Sequence, residues 1–258
     1  LTSLINQELF KLAKKRSTVA VILIIIGIMT IFAVVSKINP NQLSPMSLFT
    51  GTFSGLTWAV IALIAAASST VAMEFEYGTV KELLYRKYSR GKVIVSKWIG
   101  LVLYSGFLFI LVFVYSLVLK LLLFHNSFEL FKKYSGDSHN LLTMTFFDYL
   151  AEFLSLWLIL SLVLLIANLF KTAAAAVSIG IIGYFAVALI QSLMGLMIHH
   201  WHWLKWNPLN MMNISQQVLN PAVKNVTLLS IPELVIGNLV YIAIFLYAGY
   251  LIFKNRNV

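Results

Sequence analysis

The sequence predicts an all-α integral membrane protein with six transmembrane helices, and three observations lead there. Of 258 residues, 60% are hydrophobic and only 11% charged, where a soluble domain carries about 25% charged residues. Six apolar stretches approach the roughly 20 residues that a helix needs to cross the hydrocarbon layer. All five prolines (Pro40, Pro45, Pro208, Pro221 and Pro232) fall between those stretches, where a missing N–H breaks no helical hydrogen bond.

Taken in order, residues 1–17 place Leu1, Leu4, Ile5, Leu9 and Leu12 on one side of a helix and Lys11 and Lys14 on another. That pattern predicts an amphipathic helix in the inner headgroup layer, leucines toward acyl chains and lysines near anionic phosphates. Residues 14–35 imitate a signal peptide, but no small-x-small site follows and five more apolar runs do, so an uncleaved span is expected. The spans are expected at 19–35, 53–73, 98–124, 148–170, 173–198 and 234–253. Lys171 and Thr172 alone separate the fourth from the fifth, which makes them a tight helical hairpin. The chain reads as one transmembrane domain, with extracytoplasmic segments at 125–147 and 199–232. The second segment is too apolar for a solvated loop and too proline-broken for a span, so short helices dipping into the outer leaflet are expected.

Charge sets the orientation. Lys11, Lys14, Lys15, Arg16, Lys81, Arg86, Lys87, Arg90, Lys92, Lys97, Lys171, Lys254 and Arg256 fall on one side, and the other six basic residues on the opposite side. The positive-inside rule puts the first set, with both termini, in the cytoplasm. Topology thus accounts for most of the net charge of +10, and nucleic acid is not needed as a partner. With no cysteine, disulfide frameworks and thiol nucleophiles are excluded.

The substantial cytoplasmic loop is residues 74–97. Thr79 stands three residues before Glu82, a capping-box arrangement that starts a short helix near Val80. Val80, Leu83, Leu84 and Tyr88 share one face of it, and Gly91 reads as a terminator or hinge. So short a helix is unstable alone in water and is expected to dock on something; packing on the protein's own inner surface is the plain alternative.

The order of amphipathic helix, two spans, a loop with Glu76, Gly78-Thr79, Leu83-Leu84 and Ser89-Arg90, then Lys97 opening the third span resembles permease subunits of type-2 ABC exporters. The resemblance covers the whole chain in length and topology, and departs where Lys87-Tyr88 replace the usual proline before Ser-Arg. It implies that Glu76, Gly78, Thr79, Val80, Leu83, Leu84, Tyr88 and Arg90 form a coupling helix docked in a groove of a separate ATPase. It implies also a second permease copy and, as for small bacteriocin, lantibiotic-immunity or toxin-peptide exporters, a bacterial cell membrane. No Gly-x-x-x-x-Gly-Lys-Ser/Thr motif occurs, so ATP and magnesium are expected in the partner, with no cofactor and no enzymatic activity in this chain. An apolar or amphipathic peptide is the expected cargo, a drug or lipid-linked glycan the alternative. A membrane immunity or assembly factor that does not pump is the reading from another class.

Other constellations have plainer readings. His199, His200 and His202 beside Trp201, Trp203 and Trp206 lack a carboxylate or cysteine to complete a metal set and read as an interfacial aromatic belt. Asn213-Ile-Ser215 and Asn225-Val-Thr227 match the glycosylation triplet, which is common by chance. Gly51 and Gly55, continued by Ala62, Ala66 and Ser69, suit close helix packing, as does the run 173–176. An intramembrane protease would need His, Asp or Ser groups buried at depth, and all five histidines lie outside the expected spans. Finally, Lys120 and Glu152 each fall about four residues inside the outer end of a span, hence at similar depth. A shared site with Asp148 as secondary partner would relieve the cost of both charges; separate snorkelling to the headgroups is the alternative.

Overall fold

The computed structural model describes residues 1–77, 89–133, 139–170 and 172–255. Those residues are helical throughout, with no strand, and six helices among them are long and apolar enough to cross a membrane. In chain order they are α1 (Thr2–Lys14), α2 (Arg16–Ile38), α3 (Pro45–Thr50), α4 (Gly55–Glu76), α5 (Arg90–Leu123), α6 (Leu141–Ala167) and α7 (Ala173–His200). Then come three short helices, α8 (Pro208–Met211), α9 (Ile214–Leu219) and α10 (Lys224–Thr227), before α11 (Ile231–Asn255). The spans are α2, α4, α5, α6, α7 and α11. The chain divides into two compact units, Leu1–Leu63 with Lys92–Asp137, and Ile64–Gly91 with Ser138–Val258.

In the first unit, α1 and α2 are separate helices broken at Lys15, whose backbone is extended (φ −69°, ψ 121°). The Thr18 hydroxyl donates to the Leu12 carbonyl at 2.6 Å and closes that corner. The Leu4–Glu8 part of the leucine face of α1 packs inward, with Leu4 3% exposed and Glu8 buried beside it, while Ile5, Leu9 and Leu12 are half-buried and Leu1 is 50% exposed. The helix turns this face inward because Glu8 Oε1 meets Lys97 Nζ of α5 at 3.2 Å and Lys11 Nζ at 3.2 Å. A carboxylate in the leucine stripe is costly against lipid but tolerable against a buried ammonium. Along α2 the buried residues Ile25, Met29, Ala33 and Ser36 form a narrow stripe, and the rest of the helix suits lipid.

Gly55 is where α2, α4 and α5 come closest. A Cβ there would lie 2.6 Å from Met29 Sδ and 2.9 Å from Val112 Cγ1, whereas Gly51 has only ordinary contacts. Just before it, Thr52, Phe53 and Ser54 all take left-handed backbone angles (φ 49°, 48° and 64°), so the regular α-helix begins at Gly55 inside a span that covers Thr52–Glu74. Aromatic packing holds this turn: Phe53 stacks on Phe124 at 5.8 Å, Phe49 meets Phe128 at 5.3 Å, and both Phe49 and Phe53 are fully buried.

In the second unit α6 is the axis, with α11 and α9 packed along it. Its N-cap is Asn140, whose side chain accepts the N–H of Thr143 at 2.8 Å, so the span begins seven residues before the expected start at Asp148. Hydropathy misses that turn because capping rather than apolarity starts it. Gly180 of α7 sits against Ile64 and Ser68 of α4, with Ser68 Oγ 2.8 Å from where a Cβ would stand. Ile64, Ala67, Ser68 and Val71 are among the buried residues of α4; of the expected small-residue strip, Gly55 and Ser69 are buried and Ala62 and Ala66 half-buried. Residues 201–230 form short helical turns, as expected from their broken apolar pattern.

Candidate functional site

The described residues at the two ends of the loop between α4 and α5 make the first notable site. Glu76 ends α4, and its Oε2 accepts the backbone N–H of Ala173 at 2.8 Å. Ala173 opens α7, whose N-cap Thr172 supplies no side-chain acceptor. A helix start carries unpaired N–H groups and partial positive charge, so this carboxylate satisfies a donor and matches the field. At the other end, Arg90 opens α5 and its Nη1 donates to the Lys254 carbonyl at 2.9 Å, in the last turn of α11. Here a cation meets the unpaired carbonyls and partial negative charge of a helix end. Each charge–terminus contact of this exposed kind contributes on the order of 0.5 kcal/mol. Gly91 follows, where a Cβ would stand 2.9 Å from Tyr250 Cε2 of α11. It is thus a packing residue in the first turn of α5, not a terminator as expected, because the Tyr250 ring leaves no room for a side chain.

The second notable site lies at the opposite end of the second unit. Asp148 of α6 is buried and its Oδ1 accepts the Ser215 hydroxyl proton at 2.7 Å. Glu152, one turn further along α6, faces the same hydroxyl, and Tyr184 of α7 is within its electrostatic reach. Around this pair runs an amide network. Asn210 Nδ2 donates to the carbonyls of Lys205 (2.7 Å) and Thr227 (2.9 Å), and Asn238 Nδ2 to that of Met211 (2.7 Å). Gln217 donates to the Leu229 carbonyl at 2.9 Å and accepts from Thr227 at 2.7 Å. Gln191 of α7 donates to Asn213 at 2.8 Å. Backbone groups of an irregular segment need such partners when buried, and this network pins residues 201–230 to α6, α7 and α11. Among the described residues no three His, Asp or Glu side chains converge as a metal set would.

Of the residues expected in the coupling helix, Glu76 and Arg90 are placed, as the paired ends above. Gly78, Thr79, Val80, Leu83, Leu84 and Tyr88 lie outside the described residues. Of the expected charge pair, Lys120 belongs to the first unit, where its Nζ stands 5.6 Å from the centre of the Phe128 ring, a cation–π distance. Asp148 and Glu152 belong to the second, bound as described. Lys120 is three residues from the end of α5, and Glu152 is eleven residues inside α6, deeper in its helix than the four residues expected. Their distances along the two helices are about 5 Å and 16 Å. His199 and His200 occupy the last turn of α7, and the His200 ring contacts Trp201 edge-on at 4.8 Å. Sequence reasoning passed over Glu8, Ser215, Asn210 and Asn238. Glu8 and Ser215 have polar sequence neighbours, while Asn210 and Asn238 stand among mostly apolar ones, and neither setting identifies a partner.

Six membrane-length helices, a surface-length helix before them and a polar plug of short turns between the last two define a multi-pass helical membrane protein. The chain belongs to the DUF2705 family, described as a protein of unknown function, whose profile matches residues 17–258. It is 26% identical over 208 residues to the uncharacterized protein YhcI of Bacillus subtilis, covering 76% of this chain and 63% of that one. It is 32% identical over 142 residues to the uncharacterized membrane protein YdbK of the same organism, covering 54% of each chain. The chain therefore spans between half and two thirds of the curated relatives it matches.

Proposed function

We propose that this chain is the permease subunit of an ATP-driven ABC exporter of a bacterial cell membrane, paired with a second permease copy and a separate ATPase. The observation that carries the reading is the fixing of the 77–89 loop at both ends. Glu76 ties its start to the first residue of α7, and Arg90 ties its end to the last turn of α11. A push on the loop is then delivered to α4 and α5 through the chain and to α7 and α11 through these contacts. That is what a coupling element needs, since a conformational signal must act on groups whose contacts differ between states. The positive-inside distribution puts the loop and both termini in the cytoplasm, where an ATPase works. The apolar character of the spans suits an apolar or amphipathic cargo, a peptide of the bacteriocin, lantibiotic or toxin kind, taken from the membrane. YdbK, described as a membrane protein, is consistent with the location. Resemblance in architecture raises the reading without replacing a test.

The test is coexpression with candidate ABC ATPases, first any encoded beside the gene, followed by affinity purification through a tag on this chain. Copurification, with ATP hydrolysis that falls to the level of the isolated ATPase in a Leu83→Asp/Leu84→Asp variant, is the expected result. A full complex and unchanged hydrolysis in the double variant would refute the coupling role. No ATPase bound to the wild-type chain would favour a membrane immunity or assembly factor.

A further inference from the structure

A groove of about 680 Å³ opens in the second unit, toward the Leu141 end of α6 and the Ile231 end of α11. Its walls are Phe147, Leu150, Ala151 and Leu154 on one face of α6, Ile231 and Val235 on α11, and Ile214 and Val218 on α9. The α6 positions recur at three- and four-residue spacing, so the furrow follows the helix for seven residues, about 10 Å. Phe147 and Leu150 are about half exposed (46% and 50%) and Ile231 is 40% exposed, which leaves the furrow open sideways rather than sealed. The one amide in its lining, Gln217, has its nitrogen on the Leu229 carbonyl and its oxygen on Thr227. An apolar chain entering the groove would therefore strand no polar group.

The mouth has a different character. The exposed Lys224 and His139 are among its lining, and no Asp or Glu is among the described lining residues. Glu233 has its Oε2 taken by the Ser230 N–H at 2.6 Å and the Ser230 hydroxyl at 2.7 Å. Glu233 acts on Lys224 through space but forms no ion pair with it among the described residues. An apolar furrow running along membrane-spanning helices, with a cation at its polar end, matches a molecule with a hydrocarbon tail and an anionic head. The bilayer supplies such molecules at high local concentration. We propose that the groove holds one acyl chain of an anionic phospholipid, with the headgroup phosphate on Lys224. This site is independent of the transport reading.

Native mass spectrometry of the purified full chain in detergent tests it, with phosphatidylglycerol and phosphatidylcholine of identical acyl chains as probes. Wild-type protein is expected to retain phosphatidylglycerol about fivefold better, the effect of one lysine on an anionic headgroup. Lys224→Gln removes that preference and Lys224→Arg keeps it, both at an exposed position that folding tolerates. Val218→Trp, which fills the furrow, lowers retention of both lipids. Equal retention of the two lipids by the wild type, or an unchanged preference in Lys224→Gln, overturns the proposal. So does an amphipathic peptide that binds the groove while phosphatidylglycerol does not.

Discussion

Replacing Glu8 with Gln is expected to release α1 from α5 more than replacing Lys97 with Met does, although the two residues form one pair. Glu8 Oε1 is 3.2 Å from Lys97 Nζ, and the Lys97 side chain is 1% exposed against 11% for Glu8. Without Lys97, the carboxylate keeps Lys11 at 3.2 Å and a wet edge. Without Glu8, the Lys97 ammonium stays enclosed and loses the carboxylate against it. Removing one partner of a fully buried pair costs about 3–5 kcal/mol. Lys97 keeps a further contact after the substitution, so about 2–3 kcal/mol, less than the full loss, is expected for Glu8→Gln. For Lys97→Met about 1 kcal/mol is expected, since its carboxylate partner remains satisfied. The double variant should fall close to Lys97→Met alone, the signature of coupled residues in a double-mutant cycle. Amide hydrogen exchange of residues 2–14 in nanodiscs reads the local opening of α1 rather than global unfolding. A loss of 2–3 kcal/mol appears there as about 30- to 150-fold faster exchange. Equal acceleration by the two single variants, or additive acceleration in the double, would refute the reasoning.

Three further outcomes follow from backbone and packing geometry. Ser54→Gly should raise thermal stability by about 0.5–1 kcal/mol, because a left-handed backbone (φ 64°) costs glycine nothing; a fall in the unfolding temperature argues against that turn. Gly91→Ala should destabilise by about 1–3 kcal/mol through overlap with Tyr250, 2.9 Å from the new methyl. Tyr250→Ala should make the same substitution nearly neutral, and independence of the two changes in thermal melts would contradict the contact. Asn210→Ala removes a donor from two carbonyls, each loss costing about 1 kcal/mol or more. It should expose residues 201–230 to limited proteolysis, whereas the exposed Asn225→Ala should leave the digestion pattern unchanged.

The sequence alone determined the six spans, the separate first helix and the broken segment before the last span. Length and apolarity decide whether a segment enters lipid, and both are local properties that can be counted. Composition carried the orientation expected from Lys and Arg as well. What the tertiary structure decided is which face of each helix meets protein and which meets lipid. In α4, α5 and α6 nearly every position is apolar, so no periodic stripe marks the packed side, and Gly55, Gly91 and Gly180 are told apart only by their neighbours. Polar partners were equally hidden: Glu8 with Lys97, Asp148 with Ser215, and Asn210 with the Thr227 carbonyl are joined across 17 to 89 residues of chain. A buried polar group requires a partner, but its own sequence neighbourhood does not say which one, because the choice is made by packing distant segments together.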